Sequence, residues 1–520
     1  MNATNDNPVS VLVVGAGPVG LVLACELARR GTRIRLIDKR PEPTDESRAI
    51  IVHARSLEMM ERIGVVDELI ASGVRATAME FHADGRTIGR LQLDTVDSPF
   101  PFSVSTAQTE TERILTERLA ALGVTVDRGV ELVGFEQDDD EVRSTLRHAD
   151  GSEETLVSSY IAGTDGSHST VRDLVGTKLE GSFEGERFLL GDVEADYTLD
   201  RDSMHTYFSA DAGPLLIFPM QRERLRLIAQ IDRDSDVAAT IEALRQICDA
   251  RAGGIEVRST HWITIFEIHH AQVPAYRFGR AFLAGDAGHV HSPAGGQGMN
   301  TGMQDAFNLG WKLALASAGV AAPGLLDSYQ DERHPVAARV IKRTTRLTTA
   351  ATLEHGLARR LRNHATQLAT ALAPVQHTLA DQVEETDIAY RDSAIVGRSP
   401  RRRKGPRPGE AAPDVTGVEP ALHTALAEGA GHTALYVAGE QDVPRPLAGA
   451  DGLRHLLVAD RDPGTFDAVL LDPDRRVAER YGIGDEGGLV LVRPDGYIGL
   501  RTELGDEAAV SSYLARVASA

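Results

Sequence analysis

The sequence predicts an α/β protein of several domains, and three observations predict it. The chain has 520 residues, more than one ordinary domain holds. Its start alternates a short apolar run, a glycine-rich turn, a helical stretch and a second apolar run. Two later apolar runs, near residues 160 and 282, likewise end in glycine beside a polar turn.

Each element follows in order. Val11, Leu12, Val13 and Val14 form a continuous apolar run, the pattern of a buried parallel strand. A glycine-rich turn over 15–20 comes next, then helical patterning over 21–30 that Gly31 ends. Residues 34–37 are the next strand, with Asp38 at its end. The spacing predicts a helix over 54–63, strands and loops over 79–105, a helix over 109–122 and strands over 125–146. A second group of strands runs over 187–231 and includes the apolar stretch 215–218. A third glycine-rich region begins at Phe282 and opens a helix from Gln297 to about 316. Residues 328–385 are mostly helical, with Pro335 as a kink or restart. Residues 397–414 are rich in Pro, Gly and Arg and read as a solvated linker. Beyond it, strand-like runs at 432–437, 456–458, 468–471 and 488–492 suggest a small α/β domain. Within it, Arg493-Pro494-Asp495-Gly496-Tyr497 reads as a hairpin turn.

Charge and composition exclude several classes. Lys and Arg number 55 against 76 Asp and Glu, a net charge of −21. That opposes a nucleic-acid partner, despite the basic run Arg401, Arg402, Arg403, Lys404. No apolar run approaches the roughly 20 residues that span a bilayer. The polar start, Met1 to Ser10, lacks the apolar core of a secretion signal, so a cytoplasmic protein is expected. Cys25 and Cys248 are the two cysteines, too few for a disulfide scaffold or a thiolate metal site. His289 and His291 stand two apart, but no further ligands complete a metal set, and none is expected.

The first motif is Gly15-Ala16-Gly17-Pro18-Val19-Gly20. It follows a strand and opens a helix, and Asp38 stands 18 positions beyond Gly20. In that context it is a Rossmann-like dinucleotide fingerprint. Gly15 permits the tight turn, Gly17 lets backbone approach a pyrophosphate, and Gly20 allows close helix–strand packing. The helix N-terminus offers free N–H groups to the anion, and Asp38 can accept from a ribose hydroxyl. NAD and FAD share this fingerprint, so it does not choose between them. Gly163-Thr164-Asp165-Gly166 is a second motif at a strand end. Gly285-Asp286 is the third, leading through Pro293 to Gly295-Gly296-Gln297-Gly298-Met299-Asn300. There a carboxylate stands beside a glycine-rich loop that opens a helix. Asp286 can hold ribityl hydroxyls, and the helix N-terminus can stabilise negative charge on a reduced flavin ring.

In this order and at these separations the three motifs resemble those of the single-component FAD-dependent aromatic hydroxylases. That group includes para-hydroxybenzoate hydroxylase, phenol hydroxylase and the aromatic polyketide hydroxylases. The resemblance implies cofactor contacts from Gly15, Gly17, Pro18, Val19, Gly20, Asp38 and Lys39 at the fingerprint. It implies Arg48, in Ser47-Arg48-Ala49, near pyrophosphate and flavin, and Gln108 as the flavin-contacting glutamine. Asp165 and Gly166 match the motif tied to both FAD and NADPH; Gly285 and Asp286 match the one that holds the ribityl chain. Pro293, Gly296, Gly298, Met299 and Asn300 match the loop beside the ring. The family often has Glu where this chain has Asp38.

What the resemblance implies is a flavoprotein monooxygenase. NADPH, with NADH as the alternative, reduces FAD, and O2 adds at the flavin C4a as a hydroperoxide that hydroxylates a phenolic or polycyclic aromatic, polyketides included. Baeyer–Villiger oxygenation on the same scaffold and a plain NAD(P)-dependent dehydrogenase are the alternatives. A flavin halogenase is opposed by Ile263 and Thr264 after Trp262, since that class needs a WxWxIP-like segment, which is missing here. No catalytic residue is singled out. The segment 216–220 is expected to floor the substrate pocket, with His205, Tyr207 and Arg226 as polar candidates that are more often structural.

The expected division is a discontinuous FAD-binding domain over 1–180 and 275–345, and an inserted mixed-sheet substrate domain over 181–274 that 79–105 joins. A helical segment over 346–396, the linker 397–414 and a thioredoxin-like domain over 415–520 follow. The last lacks cysteine and is expected to serve packing or dimer contact. The expected partners are the aromatic substrate and O2, with neither nucleic acid nor membrane, in a monomer or homodimer.

Overall fold

A computed structural model describes residues 9–209, 213–292, 295–351, 356–397, 404–439, 444–447 and 452–519. Among these, strands gather into two eight-stranded sheets, one of five strands and one of three.

The first large sheet has parallel strands at its centre. Val9–Val14 lies between Glu153–Gly163 and Ile34–Asp38; Ala281–Leu283 and Val126–Arg128 extend it on either side. Both faces are covered, as parallel strands require. The helix Pro18–Ala28 is apolar but for Glu26, which pairs with Arg29 and Arg30, and is buried from Leu21 to Leu27, because it is pressed between this sheet and the helix Gln297–Ser317. Each such buried Leu or Val contributes about 1.5–3 kcal/mol. Contact between the two helices is close where Gly302 meets Val19 and Gly310 meets Glu26. A Cβ at Gly302 would lie 2.8 Å from Val19 Cγ2.

The second large sheet is antiparallel but for one pair. Its central strands are Ile255–Gln272, Glu180–Tyr197, Arg224–Ile231, Leu215–Pro219 and Ser203–Phe208, the last running parallel to Ala78–Ala83. Alternation gives it two apolar faces. Leu215, Ile217, Leu225, Leu227 and Ala229 pack on Leu244 and Cys248 of the helix Ile241–Arg251. Phe188, Leu190, Phe218, Met220 and Ile228 face the other way, toward Ile50, Ile51, Leu91 and Leu93. Gly356–Ala371 and Ala373–Val383 lie against the edge strand Arg86–Gln92, and Ala380 joins that second layer.

Three expectations need correction. The segment 79–105 joins this sheet only as far as Gln92; Ser103–Ser105 pairs with Ile51–Val52 and Val74–Ala76 in the three-stranded sheet. Of the two readings of Pro335, kink or restart, the restart is corrected: Asp327–Ala351 runs through it, since buried Arg333 on one side and Val336, Ala337 and Val340 on the other tie both turns to the core. The linker is not solvated in its second half. Pro408 and Gly409 are buried, Tyr390 N donates to Gly409 O at 2.7 Å, and Ala411 bridges to Tyr497. Residues 398–403, which hold the three arginines of the basic run, lie outside the described residues.

The five-stranded sheet orders Ala468–Leu471, Arg454–Ala459, Thr433–Val437, Gly488–Val492 and Ile498–Thr502. One face packs on its own short helices through Leu435, Val437, Val490 and Val492. The other, with Tyr436, Leu489 and Leu491, packs on Trp311 of the helix Gln297–Ser317 and on Leu325 in the turn that follows it. No helix among the described residues is long and apolar enough to cross a membrane.

Candidate active site

Register brings the three motifs to one edge. Val14 pairs with Ile37 and with Gly163, and Gly163 pairs with Leu283. Asp38, Gly15, Thr164 and Ala284 therefore follow side by side at the carboxyl ends of parallel strands, where α/β sheets bind ligands.

The glycines divide the work of the turn. Gly15 has φ +100°, and a Cβ there would lie 2.6 Å from Thr164 O. A Cβ at Gly20 would sit 1.9 Å from Gly15 O, so the helix touches its own turn. Gly17 differs: nothing lies within 4 Å of where its Cβ would be. Its missing side chain leaves room above the helix N-terminus, and no protein group fills it. Pro18 opens the helix, where its absent N–H costs nothing. Asp38 Oδ2 accepts from Ala16 N at 2.8 Å and Oδ1 from Arg40 N at 2.9 Å, while Lys39 is exposed.

Asp286 stands across the crevice in the one-turn helix Gly285–Ala287. Its side chain is exposed to solvent. The surrounding protein raises its carboxyl above the ordinary range, against the pull of His289 and Arg48. Behind it, buried Asp305 fixes the turn. Asp305 Oδ2 accepts from Gly285 N at 3.2 Å and lies 2.8 Å from His289 Nε2, and Oδ1 accepts from Arg333 Nε at 2.7 Å.

Arg48 is exposed and pairs with Glu46 at 3.0 Å. Its neighbours are fixed by Gln108, whose Oε1 accepts from Ala49 N and whose N donates to Ser47 Oγ. Asp165 turns inward: its oxygens accept from Ser169 Oγ and Val171 N, which shapes the turn at Gly166, φ +80°.

Pro293 lies outside the described residues. Gly296 caps the helix Gln297–Ser317 at φ +67°, where an L side chain is strained. Asn300 staples this loop to the three-stranded sheet, donating to Ile51 O and Gly296 O and accepting from His53 N. Gly298 lies beside His291, and Met299 packs on the core. Burial pushes the His291 imidazole down to about 4, so it is neutral at physiological pH.

Below the loop is a group the sequence did not signal. His53 is fully buried. Its Nε2 lies 2.8 Å from Gly295 O, a carbonyl that can only accept. Its Nδ1 lies 2.9 Å from Ser103 Oγ, whose own proton goes to Glu384 Oε1 at 2.6 Å. With both ring nitrogens facing acceptors, the arrangement favours the imidazolium form of His53. Burial opposes that charge, but the Glu384 carboxylate outweighs it and raises the His53 pKa. The residues missed here, His53, Asp305 and Arg333, left one readable trace. Asn300, Thr301, Gln304, Asp305, Asn308 and Lys312 recur at helical spacing and are all buried.

The pocket candidates resolve by strand alternation. Leu216, Phe218 and Met220 face the flavin side, whereas Leu215 and Ile217 do not. His205 and Tyr207 point to the opposite face and are withdrawn as pocket residues. Arg226 is on the flavin side, but its guanidinium is taken by Asp192 at 2.6 and 2.8 Å and by Ala49 O at 2.9 Å. It clamps the 47–49 segment to the sheet.

Glycine turn, strand-end carboxylates and facing loop define a dinucleotide-binding oxidoreductase, and its relatives say of which kind. Residues 8–344 match the FAD binding domain family, and 464–520 match the phenol hydroxylase C-terminal dimerisation domain. The chain is 34% identical over 531 residues to 6-methylpretetramide 4-monooxygenase of Streptomyces rimosus, covering 98% of this chain and 93% of that one. To pentachlorophenol 4-monooxygenase of Sphingobium chlorophenolicum it is 33% identical, over 95% and 94% of the two chains. The anhydrotetracycline hydroxylase OxyS from Streptomyces rimosus has a similar structure, with a TM-score of 0.78, 28% identity and 98% of each chain covered. The chain belongs to the FAD-dependent aromatic hydroxylase family of flavoprotein monooxygenases.

Proposed function

We propose that this enzyme uses NADPH, with NADH as the alternative, and O2 to hydroxylate a phenolic or polycyclic aromatic compound, polyketides included. Relatives named for a pretetramide, a chlorophenol and anhydrotetracycline support that substrate class. The observation that carries the reading is the crevice itself: room above Gly17, Asp38 beside it, and Asp286 opposite without a protein hydrogen bond among the described residues.

In this reading Gly15, Gly17, Pro18, Val19 and Gly20 seat the pyrophosphate and Asp38 takes a ribose, with Lys39 and Arg48 flanking. Asp286 holds the ribityl hydroxyls. Gly296, Gly298, Met299 and Asn300 edge the ring, and Gln108, Asp165 and Gly166 shape the walls. When bound, FAD supplies the acceptance of hydride and the activation of O2. The protein's part is orientation and dryness. Phe188, Leu190, Leu216, Phe218, Met220 and Ile228 offer an apolar floor, and the helices 356–371 and 373–383 close over its edge. Water kept from that layer cannot divert the oxygen. The sheet over 181–274, joined by 78–92, is then the substrate domain, and 415–520 a packing or dimer-forming domain. The protein works in the cytoplasm as a monomer or homodimer.

The test is turnover of the yellow holoprotein with NADPH across phenols and polycyclic quinones under labelled O2. One labelled oxygen atom in the product is expected, with NADPH oxidation accelerated by substrate. Label arriving from water instead would remove the monooxygenase reading.

A further inference from the structure

On the face of the substrate sheet away from the flavin crevice, three metal-ligating side chains converge. Glu80 and His82 come from Ala78–Ala83, and His205 from Ser203–Phe208. These strands form the one parallel pair in that sheet, and His82 and His205 are 123 positions apart. His82 Nε2 lies 3.2 Å from His205 Nδ1, and Glu80 Oε2 lies 3.6 Å from each of those atoms. Ligands about 2.0–2.1 Å from a tetrahedral zinc ion stand roughly 3.3–3.4 Å apart. The three atoms already sit near the corners of one face of such a tetrahedron.

The surroundings orient each ligand as a metal needs. His205 Nε2 donates to Asp200 O at 2.8 Å, so its lone pair is on Nδ1. Thr87 Oγ1, 3.2 Å from His82 Nδ1, can accept a proton there and leave Nε2 unprotonated. Arg90 holds Glu80 Oε1 at 2.5 Å and Asp200 Oδ2 at 3.0 Å, which leaves Oε2 turned to the imidazoles. Tyr207 stacks on His82, ring centroids 4.3 Å apart, and fixes its plane. The group is shielded but reachable: the side chains of His82, Glu80 and His205 are 11%, 16% and 1% exposed.

We propose that Glu80 Oε2, His82 Nε2 and His205 Nδ1 bind one divalent cation of the zinc class, with water as the fourth ligand. The cation staples the segment 78–92 to the inserted sheet at its parallel joint. It takes no part in the oxygen chemistry, because it lies on the far face of the sheet. The competing arrangement is a proton shared between the two imidazoles in place of the metal.

The experiment uses FAD-loaded holoprotein, stripped with EDTA, equilibrated with zinc sulfate and gel-filtered. Metal is counted by inductively coupled plasma mass spectrometry, and the unfolding midpoint is recorded with and without zinc. About one zinc per chain and a higher midpoint are expected for the wild type, since a ligand bound only by the native state raises stability. His82→Gln and Glu80→Gln should keep their flavin and lose both the zinc and the shift. Should His82→Gln fail to fold, Glu80→Gln decides. A wild type that retains no zinc, or variants that retain as much as wild type, would overturn the proposal.

Discussion

Two regions meet along the helix Gln297–Ser317 and treat polar groups in opposite ways. At its N-terminal end is the crevice, where Gly17 leaves space and Asp286 has no protein partner among the described residues. Toward its C-terminal end is the seam with the five-stranded sheet, where every charge is matched. There Glu332 accepts from Arg493 at 2.7 and 2.8 Å, from Lys312 at 2.8 Å and from Asn308 at 2.7 Å. Asp495 takes the other edge of Arg493, and Trp311 Nε1 donates to it at 3.2 Å. Burial opposes ionisation of Glu332, but Arg493 and Lys312 outweigh it and hold its carboxyl well below the ordinary range. Groups satisfied within the chain serve the fold; groups left open are addressed to something that binds.

The largest effect should come from breaking the seam. Glu332→Ala leaves the buried Lys312 without a carboxylate and Arg493 with Asp495 alone, at a cost of about 3–5 kcal/mol. Chemical denaturation should show the loss, while the molecules still folded bind FAD with wild-type affinity. If flavin leaves before the fold does, the two regions are not separable.

Gly17→Ile is the converse. Its Cβ meets open space and its φ of −75° is open to L residues, so the loss in stability should be that of a poorer helix N-cap, about 1 kcal/mol. Flavin should be lost, giving folded, colourless protein. Full flavin content in this variant would mean that nothing approaches the helix at Gly17.

What the sequence made legible follows the same division. The glycine turns and the carboxylates at strand ends are local patterns, and Gly15, Gly163 and Gly285 could be read from their neighbours. The pairs Arg226–Asp192, Arg333–Asp305, Arg493–Glu332 and His53–Glu384 are chosen by tertiary approach. No spacing announces them. Arg493-Pro494-Asp495-Gly496 does connect two strands, as its composition suggests, yet Arg493 is 1% exposed, because the turn is driven into the flavin-side helices. His205 shows the other limit: its strand was readable but its face was not, since register decides which way alternate residues point.

A smaller effect is expected at Asp286. Hydrogen bonds to a charged group contribute about 1.5–3 kcal/mol, so Asp286→Ala should weaken FAD binding by roughly one to two orders of magnitude and lower activity with it. Asp286→Asn should recover part of the affinity. Should FAD stay tightly bound while one limb of the pH–rate profile vanishes, Asp286 moves a proton instead.

The smallest effect joins the two regions' logic at His53, a matched buried charge that carries the open loop. Its pKa is raised in the fold by Glu384, against the cost of burial. A raised pKa means the folded state holds the proton more tightly than the unfolded state does. The stabilisation is therefore complete below about pH 6.5, the unfolded value, and is lost as pH rises through the folded pKa. Above it the ring keeps one N–H. Either Gly295 O or Ser103 Oγ then loses its donor, and the net loss is about 0.5–1.5 kcal/mol, one hydrogen bond. Because Gly295 adjoins the loop that Gly296 and Asn300 form, the loss should appear as weaker FAD binding on the alkaline side as well as a lower unfolding midpoint. His53→Gln donates from a single uncharged nitrogen at every pH and cannot span both partners, so it should flatten both profiles near the alkaline wild-type level. Fluorescence titration of FAD from pH 6 to 10 checks this, and profiles of equal slope in the two proteins would place the titrating group elsewhere.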